Sequence, residues 1–185
     1  MSEGTIGKQN VGRIAERIVA NELEFRGSRV SDLNKEGISA NADLIAVKDG
    51  KTWQIQVKGA SYEANYTNGW WFSYGYCNAE IIEDRQLRMF NRSRSYYQAQ
   101  IVVLVCVKTP MDYRCLVLPI KEAEIAAQKN LEYAYRTKKQ DGSPKRPNKV
   151  WVGYNYVPET KDKAKKQSMV EEQEFIKPFI NNWDF

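Results

Sequence analysis

The sequence predicts a mixed α/β fold in which a sheet is flanked by helices. Three observations lead there. Val11–Arg26 carries apolar residues at Val11, Ile14, Ala15, Ile18, Val19 and Phe25, the spacing of one helical face. "DLIAVKDGKTWQIQVKGA", residues 43–60, alternates polar and apolar positions around Asp49-Gly50, which is a hairpin signature. "AQIVVLVCVK", residues 99–108, is a continuous apolar run of the kind found in a central strand buried on both faces.

Each element then follows in order. Gly27 is the expected stop of the first helix. Ser28–Asn41 reads as loop with a short extended piece. The hairpin strands cover Ala42–Lys48 and Thr52–Gly59. "NGWWFSYGYC" alternates and is aromatic, so it predicts a third strand. "AEIIEDRQLRMFNRSR" predicts a second helix over Glu80–Phe90. "YRCLVLPI" is the expected neighbour of the central strand, "KEAEIAAQKNLEYAYR" a helix, and "KVWVGYNYV" a further strand. The order is helix, three strands, helix, strand, strand, helix. Residues 1–125 form the expected core. Residues 126–185 form an extension of helix, basic loop and tail packed on the same domain. The tail "FIKPFINNWDF" is apolar enough to dock on the domain or on a second subunit.

The 185 residues are enough for one core, with 42% hydrophobic and 28% charged residues. The longest apolar run, Ile101–Val107, is too short to span a bilayer. "MSEGTIGKQN" has no stretch resembling a secretory signal. Cys77, Cys106 and Cys115 are few and partly inside strand-like runs, which points to buried thiols in a reducing, cytoplasmic setting. There is no histidine. That excludes Ser–His–Asp hydrolases, Cys–His proteases, histidine-ligated metal nucleases and HExxH peptidases. Any enzymatic chemistry must use carboxylates, amides, lysines, hydroxyls or a metal held by oxygen.

The net charge of +5 and the pI near 9.0 favour a polyanionic partner. Basic residues concentrate in "RTKKQDGSPKRPNK", which includes Lys138, Lys139, Lys145, Arg146 and Lys149, and in "KDKAKK". Arg85, Arg88 and Arg92 have helical spacing, with Arg94 just beyond. All are candidates for phosphate contacts, against the alternative of an ordinary solvated charged face. Trp70, Phe72, Tyr74 and Tyr76 share one strand face, and so stack on bases or pack into the core.

The hairpin places the chemistry. With a two-residue turn at Asp49-Gly50, Lys48 faces Lys51 and paired positions sum to 99, so Asp43 faces Gln56. Side chains directly opposite have Cβ atoms roughly 5 Å apart. Lys58 lies on the same face as Gln56. The other face holds Leu44, Ala46, Trp53, Ile55 and Val57 for the core. An acid, an amide and a cation thus meet at one end of a buried hairpin. The plain alternative is a surface ion pair between Asp43 and Lys58 on a general interaction protein.

"GRIAERIVANELEFRG", "ADLIAV" and "QIQVKGA", in that order, resemble the PD-(D/E)xK nucleases. The likeness is to branches with glutamine at the second motif acid, related to homing endonucleases and Holliday-junction resolvases. It covers about residues 10–60 well and 98–120 loosely. It implies a restriction-endonuclease-like αβββαβ core with a mixed central sheet flanked by helices. It also implies a divalent-metal-dependent endonuclease acting on DNA, with Mg²⁺ or Mn²⁺ as cofactor and a homodimer where both strands are cut. By that resemblance Asp43 is a metal ligand, Gln56 stands at the second acid, Lys58 is the motif lysine and Glu16 is the helix acid. The expected metal set is Asp43, Glu16, the Gln56 amide and the Val57 carbonyl. Two departures are Ala42 in place of the motif proline and the neutral Gln56. The second keeps open a nuclease fold that binds nucleic acid without cutting it. Glu22, nearer the centre of the apolar stripe, is a second candidate for the helix acid, or an edge acid paired with an arginine.

Overall fold

The computed structural model describes residues 8–34, 42–61, 69–76, 78–81, 87–90, 99–109, 111–136, 142, 149–154 and 163–185. The first helix, α1, spans Lys8–Phe25 and buries Val11, Ala15, Ile18, Val19 and Leu23. It ends where expected. Gly27 turns left-handed at φ 85°, Ser28 N–H reaches the Leu23 carbonyl at 3.0 Å, and Gly27 N–H reaches that of Glu24 at 2.9 Å. This is a Schellman close, in which a glycine satisfies the last carbonyls of the helix.

Strand β1, Arg29–Asp32, is the short extended piece foreseen in the loop, and it leads to β2, Leu44–Lys48, and β3, Lys51–Ser61. Asp49 and Gly50 both have positive φ, 50° and 75°, as a two-residue primed turn requires. The register follows: Lys48 pairs with Lys51 and Leu44 with Ile55. β1 pairs antiparallel with β2, Asp32 opposite Leu44. β7, Ile101–Thr109, runs parallel to β3, and β8, Asp112–Pro119, returns antiparallel to β7. The result is a five-stranded mixed sheet in the order β1-β2-β3-β7-β8, flanked by helices.

The sheet carries a core on each face. Ile101, Val103, Val105 and Val107 join Leu44, Ala46, Ile55 and Val57 under α1. Val102, Leu104 and Cys106 face the opposite way, against α2, Ile120–Arg136, and a small sheet made of β4, Trp70–Tyr76, and β9, Lys149–Tyr154. Strand β7 is therefore buried on both faces, as its sequence predicts. The third strand of the meander is β1, ahead of the hairpin. The aromatic β4 pairs with β9 in the second layer.

Two elements differ from the sequence reading. Glu80–Phe90 was expected as a helix, but β5, Asn78–Ile81, pairs antiparallel with β6, Leu87–Phe90. A short run such as "AEII…LRMF" satisfies both periods, and the cross-strand pair Glu80–Arg88 closes as an ion pair that a strand alone can offer. The second difference is α3, Lys163–Ile176, which the sequence reading left as charged tail. Its inward positions include Glu172, only 2% exposed, so the apolar stripe is interrupted. That carboxylate accepts from Asn130 Nδ2 on α2 and from the Gly153 N–H of β9 at 3.0 Å. A buried carboxylate with charge-assisted partners here takes the place of an apolar contact.

After α3 and the 3-10 turn Lys177–Phe179, Ile180 bridges to Leu116 of β8. Asn181 exchanges two bonds with Cys115: its N–H to the carbonyl at 2.7 Å and its Oδ1 from the N–H at 2.9 Å. Trp183 and Phe185 then pack on the α1 face of the sheet, Phe185 edge-on to Trp53 at 5.3 Å. No helix among the described residues is long and apolar enough to cross a membrane.

Candidate functional site

The site lies where β3 outruns β2. Their ladder ends at Leu44–Ile55, and β3 continues to Ser61 beside β7. Asp43 stands at that end. Its N–H donates to the Ile55 carbonyl at 2.9 Å, and its Oδ2 accepts the Val57 N–H at 2.7 Å. The carboxylate thus caps the backbone edge that a longer β2 would have paired. In a strand, a residue's N–H and C=O point to the same side, so the Val57 carbonyl shares the edge that Asp43 caps.

Glu16 reaches the same place from α1. Asn34 Nδ2 donates to Glu16 Oε1 and to Asp43 Oδ1, each at 3.4 Å. One amide therefore spans the two acids. The Glu16 carboxyl is held above its ordinary pKa, first by partial burial, then by the negative charges of Asp43 and Asp32. The Asn34 hydrogen bond and the Lys58 charge oppose that rise. Asp43 and Lys58 thus both act electrostatically on Glu16, in opposite senses. Gln56 is half-buried. The alternation that sets Ile55 and Val57 against α1 turns Gln56 and Lys58 to the other side of β3.

What brings α1 so close to this edge is Gly59. A Cβ there would lie 2.7 Å from the Val11 carbonyl oxygen and 2.8 Å from the Ala15 Cβ. The glycine lets the first turns of the helix rest on the strand, with Glu16 next to Ala15. Below the acids, Leu33, Ala42 and Ala99 make a small buried cluster that seats the ends of β1 and β2.

Asn34 and Asp32 were missed by the sequence reading. The signal was present: once the extended piece is paired antiparallel with the strand of Asp43, position 33 falls opposite 43. Leu33 N–H indeed donates to the Asp43 carbonyl at 3.0 Å. Glu22 takes the second of its two readings. It pairs with Arg26 and accepts the Tyr113 hydroxyl at 3.0 Å.

Of the expected DNA contacts, Arg88 lies on β6 and is ion-paired with Glu80, so the helical spacing that suggested it does not apply. Lys149 opens β9. Arg85, Arg92, Arg94, Lys138, Lys139, Lys145 and Arg146 lie outside the described residues. Trp70 and Phe72 are core, and Trp70 stacks on the buried Tyr154 at 6.0 Å. Those rings are not available to bases, and the Tyr74 and Tyr76 side chains lie outside the described set. Cys106 and Cys115 are buried free thiols. Burial pushes both up, Cys115 to about 12, so neither supplies a thiolate.

The oxygens that gather here are those of two carboxylates and of the main chain, a set that suits a small hard cation. Among the described residues no three acidic, histidine or cysteine side chains stand close enough to form a metal cage. Mg²⁺ does not require one, since it is commonly held by one or two carboxylates together with waters and substrate phosphate. The Glu16 pKa is raised first by burial and then by its acidic neighbours Asp43 and Asp32.

That rise gives a stability signature. The folded state holds the Glu16 proton more tightly than the unfolded chain does. Stability therefore falls as pH rises from the ordinary glutamate value to the raised one, and the penalty is complete above it. In EDTA, Glu16→Gln should match the parent well below the ordinary glutamate pKa and exceed it at pH 8. Thermal melts at the two pH values measure this. A variant less stable than the parent at pH 8 would show that the acid is not under repulsion.

No protein-family model matches the chain, and no curated protein matches it. Among solved structures, the chain is similar to a bacterial homing endonuclease, I-Ssp6803I, at a TM-score of 0.44 and 17% identity, over 62% of this chain and 70% of that one.

Proposed function

We propose that this protein is a divalent-metal-dependent endonuclease that hydrolyses DNA phosphodiester bonds. The observation that carries the reading is the meeting of Glu16 and Asp43 on one amide at the open edge of β3, with the Lys58 charge in range. Asp43 and Glu16 would hold the cation, with the Val57 carbonyl as a neutral oxygen; the Gln56 amide would join them only by reaching round from the other face of β3. When bound, Mg²⁺ or Mn²⁺ polarises a phosphoryl oxygen and acidifies a bound water.

The chain's own residues do the rest. The Val57 N–H fixes one oxygen of Asp43 and leaves the other aimed at Glu16's side of the site. Lys58 supplies three donors and a point charge to a phosphate whose negative charge grows as water adds to phosphorus. The P–O3′ bond breaks, leaving a 5′-phosphate and a 3′-hydroxyl. No step calls for histidine. Affinity for the polyanion would come from the basic segments Arg136–Lys149 and Lys161–Lys166, and would weaken as salt rises. A double-strand break would take two copies of the chain, each cutting one strand.

A second reading rests on Gln56. With a neutral residue at that position, the same fold would bind nucleic acid without cutting it. Incubation with supercoiled plasmid in Mg²⁺ or Mn²⁺ separates the two. Nicking that is lost in Lys58→Ala, with retained DNA binding, supports the enzyme. Salt-sensitive binding with no nicking in either metal supports the binding module.

A further inference from the structure

We infer that Asn34 is an additional oxygen ligand of this site, resting on the reading above: its amide nitrogen bridges the two carboxylates, and its oxygen would replace the nitrogen when a divalent cation binds. Three observations carry this. The Nδ2 group stands 3.4 Å from one oxygen of Glu16 and 3.4 Å from one oxygen of Asp43, between the two acids. An amide NH₂ has two donors and no acceptor on that nitrogen, so it imitates a cation toward acids and would be repelled by a real one. The backbone beneath is fixed: Asp32 pairs with Leu44, and the Leu33 N–H is bonded to the Asp43 carbonyl at 3.0 Å.

The Asn34 side chain is exposed, and rotation about Cβ–Cγ exchanges nitrogen for oxygen without moving the main chain. A site built on Gln56 has one carboxylate fewer than its motif provides for. Asn34, in the turn two residues beyond β1, adds an oxygen in compensation. Its role is to donate hydrogen bonds to the two acids when the cation is absent and to help hold the cation when it is present.

The test is Mn²⁺ binding to the full chain without DNA, read from the loss of the free-ion electron paramagnetic resonance signal. Asn34→Ala should bind Mn²⁺ roughly tenfold more weakly than the parent. Asn34→Asp should bind at least as tightly as the parent, because it restores an oxygen and adds charge. In EDTA the aspartate variant should melt below the parent, and Mn²⁺ should reverse that order. A merely structural asparagine would not send the two variants in opposite directions. Both variants within twofold of the parent, or both weakened alike, overturns the role of Asn34 and leaves the metal site standing. A parent that binds no Mn²⁺, or binding that persists undiminished in Asp43→Asn, overturns the metal site itself.

Discussion

Asp43→Asn should abolish plasmid nicking while leaving the fold and DNA binding in place. The loss expected is roughly 10³-fold or more, equivalent to about 4 kcal/mol of transition-state stabilisation. Asp43 has two separable tasks. One oxygen accepts the Val57 N–H and closes the end of the hairpin; the other faces Asn34 and Glu16. An asparagine oxygen can still accept the Val57 N–H, so the structural task survives. The charge that would hold a cation is gone. Asp43→Ala loses both tasks, and an orphaned N–H costs about 1–3 kcal/mol in addition. The pair of variants therefore divides chemistry from architecture. In EDTA, the asparagine variant should melt no lower than the parent, because Glu16 is relieved of its largest negative neighbour. The alanine variant should melt lower. Nicking that persists in purified Asp43→Asn would remove this carboxylate from the chemistry.

How much of this was legible follows from which interactions are local. The hairpin register was readable because Asp49-Gly50 dictates a two-residue primed turn, and a turn of known length fixes every pair above it. That register runs only to Leu44–Ile55, and Asp43 lies just past its end, opposite Gln56 by extrapolation. The α1 stripe was readable for Val11, Ala15, Ile18 and Val19, which are buried at helical spacing, but not at its end, where Phe25 is 90% exposed and Leu23 is buried instead. Glu16's approach to Asp43 was not readable from either element alone. It depends on Gly59 and on α1 settling over β3, which are tertiary facts. Asn34 was hidden for the same reason: it enters through β1, whose four residues carry no strong alternation. The β5–β6 pair was misread because short apolar runs fit both periods. Helix α3 was missed because one of its buried positions is Glu172, and a carboxylate in a core leaves no mark in a hydrophobic pattern.

The glycine under α1 makes that tertiary dependence testable. Gly59→Ala places a Cβ 2.7 Å from the Val11 carbonyl and 2.8 Å from the Ala15 methyl. Neither is the far end of a flexible side chain, so the strain falls on the helix backbone. The expected cost is about 2 kcal/mol, in the range of overpacked cores. The helix must lift, and Glu16, one residue beyond Ala15, lifts with it. A displacement near 1 Å at a reacting centre can cost roughly 10²-fold, so nicking should fall by 10- to 100-fold even at temperatures where the variant is fully folded. A basic surface away from α1 would bind DNA as before. Adding Ala15→Gly removes the contact at 2.8 Å but leaves the shorter one to the Val11 carbonyl at 2.7 Å, so the double variant should stay as impaired as the single one. Nicking undiminished in fully folded Gly59→Ala would mean that the seat of α1 on β3 does not set the distance between the two acids.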